Sequence, residues 1–266
     1  MTTASPAHTD REALRTKAYR DERPLETRRA IYDHRRPRLD LVGEVVHRLR
    51  DVPGGVLADV GCGSGAYSKA LRAARPDLTV IAADLSAGMV SVAGAPGVVT
   101  DATHLPLATR SCSAVLALHM LYHVPDPRAA VAEFARVVRE DGSVLIMGNR
   151  EGDKHELDEL WDRAAMDVLG HPAGGMVGGH LSAEEMGELA REAFPVVESV
   201  SYRARTVVPE AAPVIAFFDS TRALSGLGGN FDAVLARASA LIQERVATEG
   251  AFAFTNHTGM YRAQVA

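Results

Sequence analysis

The chain has 266 residues, 47% of them hydrophobic, enough to bury the core of one large domain or of a domain with an elaborate insertion. Its net charge of -5 lacks the positive excess that neutralising many phosphates requires, which argues against nucleic acid as a partner. Cys62 and Cys112 form neither a CxxC pair nor a dense disulfide framework, and the longest apolar run, residues 113–124, is too short and interrupted to span a bilayer.

In chain order, residues 1 to about 9 read as disordered, and residues 1–20 contain no apolar stretch of signal-peptide length, so a soluble cytoplasmic protein is expected. Residues 11–50 are rich in arginine, with Leu39, Leu41, Val42, Val45, Val46 and Leu49 at helical spacing, and predict a helical lead-in. Pro53, Gly54 and Gly55 break that pattern and admit a buried-type strand at 56–60 that runs straight into glycine, followed by a helix at 66–74. Strands are then expected at 79–83, 97–100, 113–118 and 143–148, with helices at 86–92 and 127–138. Such alternation implies right-handed βαβ crossovers and a mostly parallel α/β sheet with helices on both faces, whose ligands bind beyond the carboxyl ends of the strands. Beyond Gly148 the pattern predicts helices at 154–169 and 182–194, a strand at 196–208, further helices within 211–247 and a closing strand at 259–265. Glycine-rich patches at 174–179 and 226–229 are either hinges for a moving cap or ordinary surface loops. The organisation expected is a helical lid over 1–50, a ligand-binding core over 51–150, and the rest of the sheet with a helical cap over 151–266.

Chemistry first appears in Asp59-Val60-Gly61-Cys62-Gly63-Ser64-Gly65-Ala66. Glycines at a strand-to-helix turn let backbone approach a ligand and leave N–H groups at a helix N-terminus. Gly61, Gly63 and Ala66 also satisfy the dinucleotide pattern G-x-G-x-x-G/A, so the loop alone does not separate a nicotinamide enzyme from other nucleoside binders. Asp59 discriminates better, because a carboxylate there repels a pyrophosphate and attracts a cationic amino-acid moiety. Asp84, at the end of the second strand, suits the two hydroxyls of a ribose. Asp101 ends the next apolar run, where it can accept from an adenine amino group while Leu85 and Ala102 offer apolar faces to the ring. Each acid taken singly is also what a helix N-cap looks like.

Four linked segments carry a family resemblance: residues 56–65, Ala83-Asp84-Leu85-Ser86-Ala87-Gly88-Met89, Asp101-Ala102-Thr103-His104-Leu105-Pro106, and Leu118-His119-Met120-Leu121-Tyr122-His123-Val124-Pro125-Asp126. With Glu133 to Gly142 and the upstream Tyr32-Asp33-His34-Arg35-Arg36-Pro37, they resemble the class I S-adenosylmethionine-dependent methyltransferases, the group that includes the ubiquinone and menaquinone C-methyltransferases. The resemblance covers roughly residues 30–150. It implies a Rossmann-like sheet with an antiparallel last strand, flanking helices and a helical cap, and S-adenosylmethionine as cofactor, leaving as S-adenosylhomocysteine. It assigns cofactor contacts to Asp59, Gly61, Cys62, Gly63, Asp84, Leu85, Met89, Asp101, Ala102, Leu118 and His119, and the methionine carboxylate to Arg36. Two departures stand out: Arg139-Glu140-Asp141-Gly142 replaces the family's Lys-Pro-Gly-Gly turn, and Ser111-Cys112-Ser113 replaces an aromatic residue followed by aspartate.

Methyl transfer from a sulfonium is an in-line displacement at carbon, so positioning and exclusion of water supply most of the acceleration, and a base helps where the acceptor starts protonated. His119, His123 and Tyr122, after the fourth strand, are the catalytic candidates; in the resembling family this segment also packs on the cofactor through its backbone. His155, Glu156 and His257 either reach the pocket from the cap or serve structure. The absence of HExxH and of a tight His/Asp/Cys cluster leaves no expected metal site. Cys62 needs only to be small, and Trp161 on an amphipathic helix reads as core. The expected function is methyl transfer to an oxygen, nitrogen or carbon of a small molecule by a monomer or homodimer. An Ala-, Arg- and Val-rich composition like that of GC-rich bacterial genomes points to quinone or natural product biosynthesis. Two alternatives stay open: non-methyl chemistry such as cyclisation on the same fold, and a nicotinamide-dependent oxidoreductase, which Asp59 counts against.

Overall fold

The computed structural model describes residues 8–174 and 181–265. Before Asp40 the chain is broken into α1 (Arg11–Ala13), a π turn (Leu14–Ala18), α2 (Arg23–Ala30), a 3-10 turn (Ile31–His34) and the two-residue strand β1 (Arg35–Arg36). Then come α3 (Leu41–Arg48), β2 (Gly55–Val60), α4 (Ala66–Ala74), β3 (Leu78–Asp84), α5 (Ala87–Ala93), β4 (Gly97–Val99), β5 (Cys112–Leu118), α6 (Pro127–Val137) and β6 (Val138–Asn149). The remainder forms α7 (His155–Leu169), α8 (Ala183–Ala193), β7 (Val196–Val208), α9 (Ala211–Asp219), α10 (Phe231–Glu249) and β8 (Phe252–Gln264).

These strands make an eight-stranded sheet in the order β1-β7-β8-β6-β5-β2-β3-β4. β4, β3, β2, β5 and β6 run parallel, and β8 pairs antiparallel to β6, the expected last strand of a Rossmann-like methyltransferase sheet. The reversal between β2 and β5 follows from order rather than length: β3 and β4 build outward on one side of β2, and β5 returns to the other. That is where α/β sheets open a crevice at their carboxyl ends.

Several expectations are corrected. The lead-in is not one helical run, because β1 interrupts it by pairing Arg35 with Thr206 and Arg36 with Arg205. Residues 1–7 lie outside the described residues, but His8, read as part of a disordered start, is buried. β6 begins at Val138, directly after α6: Cys112 pairs with Val138 and Ala114 with Ser143, so the expected turn at Arg139–Gly142 is a bulge within the strand. β8 begins at Phe252, placing His257 inside the strand rather than before it. Of the two glycine patches, residues 175–179 lie outside the described residues, and 226–229 runs into the 3-10 turn Gly228–Asn230 ahead of α10.

The chain forms two compact units: a core unit of Asp40–Glu151, Leu181–Ser201 and Thr258–Ala266, and a second unit of Met1–Leu39, Gly152–His180 and Tyr202–His257, in their described residues. In the core unit all of β5 is buried, and Val60, Val115, Ala117 and Ile146 pack with Val131, Phe134 and Val137 of α6 and Met186 of α8. The second unit has its own core, in which the Trp161 ring stacks on Phe218 (5.1 Å between centroids) and tilts against Phe231 (5.5 Å). A tryptophan with 0% exposure is core and offers no platform to a ligand.

Candidate functional site

Between β2 and α4 the backbone takes left-handed angles at Gly61 (φ +68°), Gly63 (+52°) and Gly65 (+78°), which L side chains rarely adopt. Gly61 N–H and Cys62 N–H both donate to Ala83 O (2.8 and 3.1 Å), laying the loop across the carboxyl end of β3. A Cβ on Gly61 would stand 2.6 Å from Met120 Cβ, so glycine is also what lets the segment after β5 close onto this loop. Cys62 is buried and its Sγ–H donates to Gly63 O. Burial first, and then the charges of Asp59 and Asp84, push its pKa far up, so it remains an unreactive thiol.

Asp59, near the end of β2, is 1% exposed. Its carboxylate accepts from the hydroxyl of Ser68 on α4 (2.5 Å). Burial pushes its pKa up to about 6; the Ser68 bond opposes the shift and the charge of Asp84 adds to it. Asp84 closes β3 with one oxygen accepting Gly63 N–H (3.0 Å) and the other accepting Ser86 N–H (2.9 Å). Burial raises the Asp84 pKa while those amides hold it down. A carboxylate offers about four acceptor positions, so two amides do not saturate it. The side chain is thereby aimed by backbone from both the glycine loop and the start of α5.

Main chain links this acid to the next loop, because Thr100 N–H donates to Asp84 O (2.9 Å). Asp101 lies in that loop, beyond β4, which stops at Val99, and Asp101 Oδ1 accepts both Thr103 N–H and Thr103 Oγ1–H (2.9 Å each). Ala102 beside it is buried and Leu85 is half-buried. After β5, His119 adopts φ +56° with its N–H on Met147 O (2.7 Å). Left-handed angles at non-glycine residues gather where structure is held for function. Tyr122 and His123 follow in a 3-10 turn (Leu121–His123), rings edge-on at 4.7 Å.

The structure thus gathers Asp59, Gly61, Cys62, Gly63, Asp84, Leu85, Asp101, Ala102, Leu118 and His119 at the strand ends and adjoining loops of the core unit. Others fall elsewhere. Met89 is wholly buried, with its N–H capped by Ser86 Oγ (3.3 Å), so its side chain packs α5 inward. Arg36 belongs to the second unit, where its guanidinium donates to Asp33 O (3.2 Å) and Arg35 O (2.7 Å). The cap candidates also serve the second unit: Glu156 accepts from Thr255 N–H and Oγ1–H (2.8 and 2.9 Å), His257 N–H donates to Asp153 (2.8 Å), and His155 Nδ1 stands 3.0 Å from Gly152 O. Sequence reasoning missed Ser68 and Met120. A serine three residues before buried Leu71, on the inward stripe of α4, was the available signal for the first. Among the described residues no group of three or more His, Cys, Asp or Glu side chains is placed to hold a metal ion, and no helix is long and apolar enough to cross a membrane.

Residues 58–146, from β2 into β6, match the model of a family described as methyltransferase domain. The malonyl-[acyl-carrier protein] O-methyltransferase of Hahella chejuensis is 32% identical over 141 residues, 50% of this chain and 48% of its own length. The demethylmenaquinone methyltransferase of Renibacterium salmoninarum is 31% identical over 149 residues, 49% of this chain and 62% of its own. The chain therefore spans about half the length of the curated relatives it matches. The YcgJ protein from Bacillus subtilis shares the fold, with a TM-score of 0.57 at 16% identity over 85% of this chain and 98% of that one. Strand order, glycine loop and acidic strand ends, taken with these matches, give the chain the Rossmann-like fold of the class I methyltransferases. Over residues 58–146 the chain is similar to the methyltransferase-domain family, and the nicotinamide alternative gives way to that match. The cofactor fits the residues present: bare, half-buried backbone at Gly61 and Gly63 lies between two carboxylates, and Asp84 is prealigned by two amides.

Proposed function

We propose that this chain transfers the methyl group of S-adenosylmethionine to an oxygen, nitrogen or carbon nucleophile of a small molecule. The observation that carries the reading is the pair of carboxylates, buried Asp59 and half-buried Asp84, flanking a left-handed glycine loop. Their negative potential favours a ligand with ammonium and sulfonium charge over a pyrophosphate. When bound, S-adenosylmethionine would supply an electrophilic methyl group on a sulfonium sulfur. Asp84 would accept from the ribose hydroxyls, Asp101 from the adenine amino group with Leu85 and Ala102 on the ring faces, and Asp59 would draw the amino group. Gly61 and Gly63 would admit the ligand to bare backbone, Cys62 adding no bulk, while Leu118 and His119 would border it. Met89 supports the site by holding α5 in place. Arg36 is our candidate for the methionine carboxylate.

His119, Tyr122 or His123 would take a proton from an acceptor that carries one. We assign acceptor recognition to the lid before residue 51 and the cap after residue 150. One relative methylates oxygen on a malonyl-carrier substrate and another acts on demethylmenaquinone, which supports a metabolic acceptor and, with the composition, bacterial quinone or natural product biosynthesis. Cys62 and Cys112, both free and buried, suit a reducing cytoplasm. Calorimetric titration of cofactor-free protein with S-adenosylmethionine, S-adenosylhomocysteine and NAD tests the reading. Micromolar binding of the two sulfur compounds and none of NAD is expected; no binding of either sulfur compound would sink it. Acceptor turnover without S-adenosylhomocysteine release would redirect it to non-methyl chemistry.

A further inference from the structure

The loop joining β4 to β5, residues 100–111, carries Asp101 and Ala102 yet has little secondary structure of its own. Among its internal backbone bonds are His104 N–H to Asp101 O (3.1 Å) and Leu107 N–H to Leu105 O (2.8 Å). Its shape is imposed from α6. Glu133 accepts Leu105 N–H (2.7 Å), while Arg136 donates to Leu105 O (3.2 Å), Leu107 O (2.9 Å) and Thr109 Oγ1 (3.2 Å). The two side chains are locked together by a bidentate ion pair, 2.7 Å on both arms. Arg136 O in turn accepts Arg110 N–H (2.9 Å), so both ends of the clamp are fixed to the loop. The Glu133 side chain is only 13% exposed, and Arg136, followed by Leu105 N–H, keeps its carboxyl below the usual range and therefore charged.

Two neighbouring residues, Ala102 and Leu105, are pinned by burial in the same cluster as Phe134 of α6. Asp101 is thus bracketed: on one side Thr100 is tied to the Asp84 main chain, on the other Leu105 is tied to Glu133 and Arg136. We infer that Glu133 and Arg136 are positioning residues that set Asp101 for reading the amino group of the purine. This inference rests on the cofactor reading above and adds to it a source for base selectivity. A carboxylate on a loosely held loop would turn away from a 6-oxo purine or meet it through water. Held in place, it accepts from an amino group and repels an oxo group.

The test uses the full chain, with S-adenosylhomocysteine and its 6-oxo counterpart S-inosylhomocysteine as probes, and reads the ratio of their Kd values. Wild type should prefer the adenine compound by roughly tenfold to a hundredfold, the worth of one charge-assisted hydrogen bond. Glu133→Ala and Arg136→Lys should each cut that ratio roughly fivefold or more, and Glu133→Gln, which keeps an acceptor for Leu105 N–H, should retain more of it than Glu133→Ala. Arg128→Ala, which removes an exposed partner of Glu192 from the same helix, should leave the ratio unchanged. Should Glu133→Ala fail to fold, Arg136→Lys and Glu133→Gln carry the test. Variants that lose thermal stability but keep the wild-type ratio would overturn the inference, as would a wild type that does not distinguish the two compounds. A wild type that binds neither probe overturns the cofactor reading itself and this inference with it.

Discussion

Asp59 is a carboxylate held in the fold against its own solvation, and that cost should be measurable. Its folded pKa of about 6 lies above the carboxylate value of 3.8, so the folded state holds this proton more tightly than the unfolded chain. Its contribution to stability is therefore fully present below about pH 4 and is lost as pH rises through 6. Asn keeps an acceptor for Ser68 without the charge, so Asp59→Asn should be more stable than wild type at pH 7.5 by about 1 to 3 kcal/mol, the advantage vanishing near pH 4. Urea melts at pH 4.5 and 7.5 decide this; an equal difference at both would show that another group titrates. The same substitution should weaken the cofactor, the trade of stability for function expected where a charge is buried on purpose. Asp84→Ala should weaken S-adenosylhomocysteine binding by about 1 to 3 kcal/mol, since it removes a charged acceptor from the ribose hydroxyls. An unchanged affinity in calorimetry would place the ribose elsewhere.

Elements meet at glycines, and Gly65 separates two of the reasons. It begins α4 at φ +78°, with a would-be Cβ 2.6 Å from Ala93 Cα at the end of α5; Gly170 ends α7 at φ +79° with nothing within 4 Å of such an atom. Gly170→Ala should cost about 1 kcal/mol for the left-handed angle alone. Gly65→Ala should cost that and about 1 to 3 kcal/mol more for prising α5 from α4. Equal losses in denaturant melts would mean that α5 gives way freely. The pattern of elements from β2 through β5 was legible because buried parallel strands leave unbroken apolar runs and glycine marks the turn after β2. The first half of β8 was not, because Ala251, Ala253 and Thr255 alternate with its inward phenylalanines and blur the boundary with α10. Two-residue β1 has no pattern to read. At the site, the acids at strand ends stood out by position, whereas the Ser68 bond to Asp59 and the α6 clamp on the Asp101 loop join residues that only the fold brings together. Met89 matched a motif but faces inward, since matching a motif does not say which way a helix turns a side chain.

Neither unit is a continuous stretch of chain, which constrains how the whole molecule is completed. The core unit collects Asp40–Glu151, then Leu181–Ser201, and finally Thr258–Ala266. That last piece pairs antiparallel with β6 along its length, from Asn149 with Thr258 to Ser143 with Gln264. Those β6 residues are almost all buried, so without their partner a long apolar strand would present unpaired N–H and C=O groups at an open edge. Every cofactor contact proposed in the core unit lies before residue 120, far earlier in the chain. If binding depended on those contacts alone, a chain stopped after His257 would still bind S-adenosylhomocysteine. If the sheet must close before the strand ends are held in place, the same truncation should abolish both the cooperative melt and binding. We expect the second outcome, with the truncated chain accumulating as aggregate, because the glycine loop, Asp84 and His119 are aligned by strands whose register depends on β6 being paired on both sides. A shortened chain that melts cooperatively and binds with native affinity would show that β2 to β6 hold the site unaided.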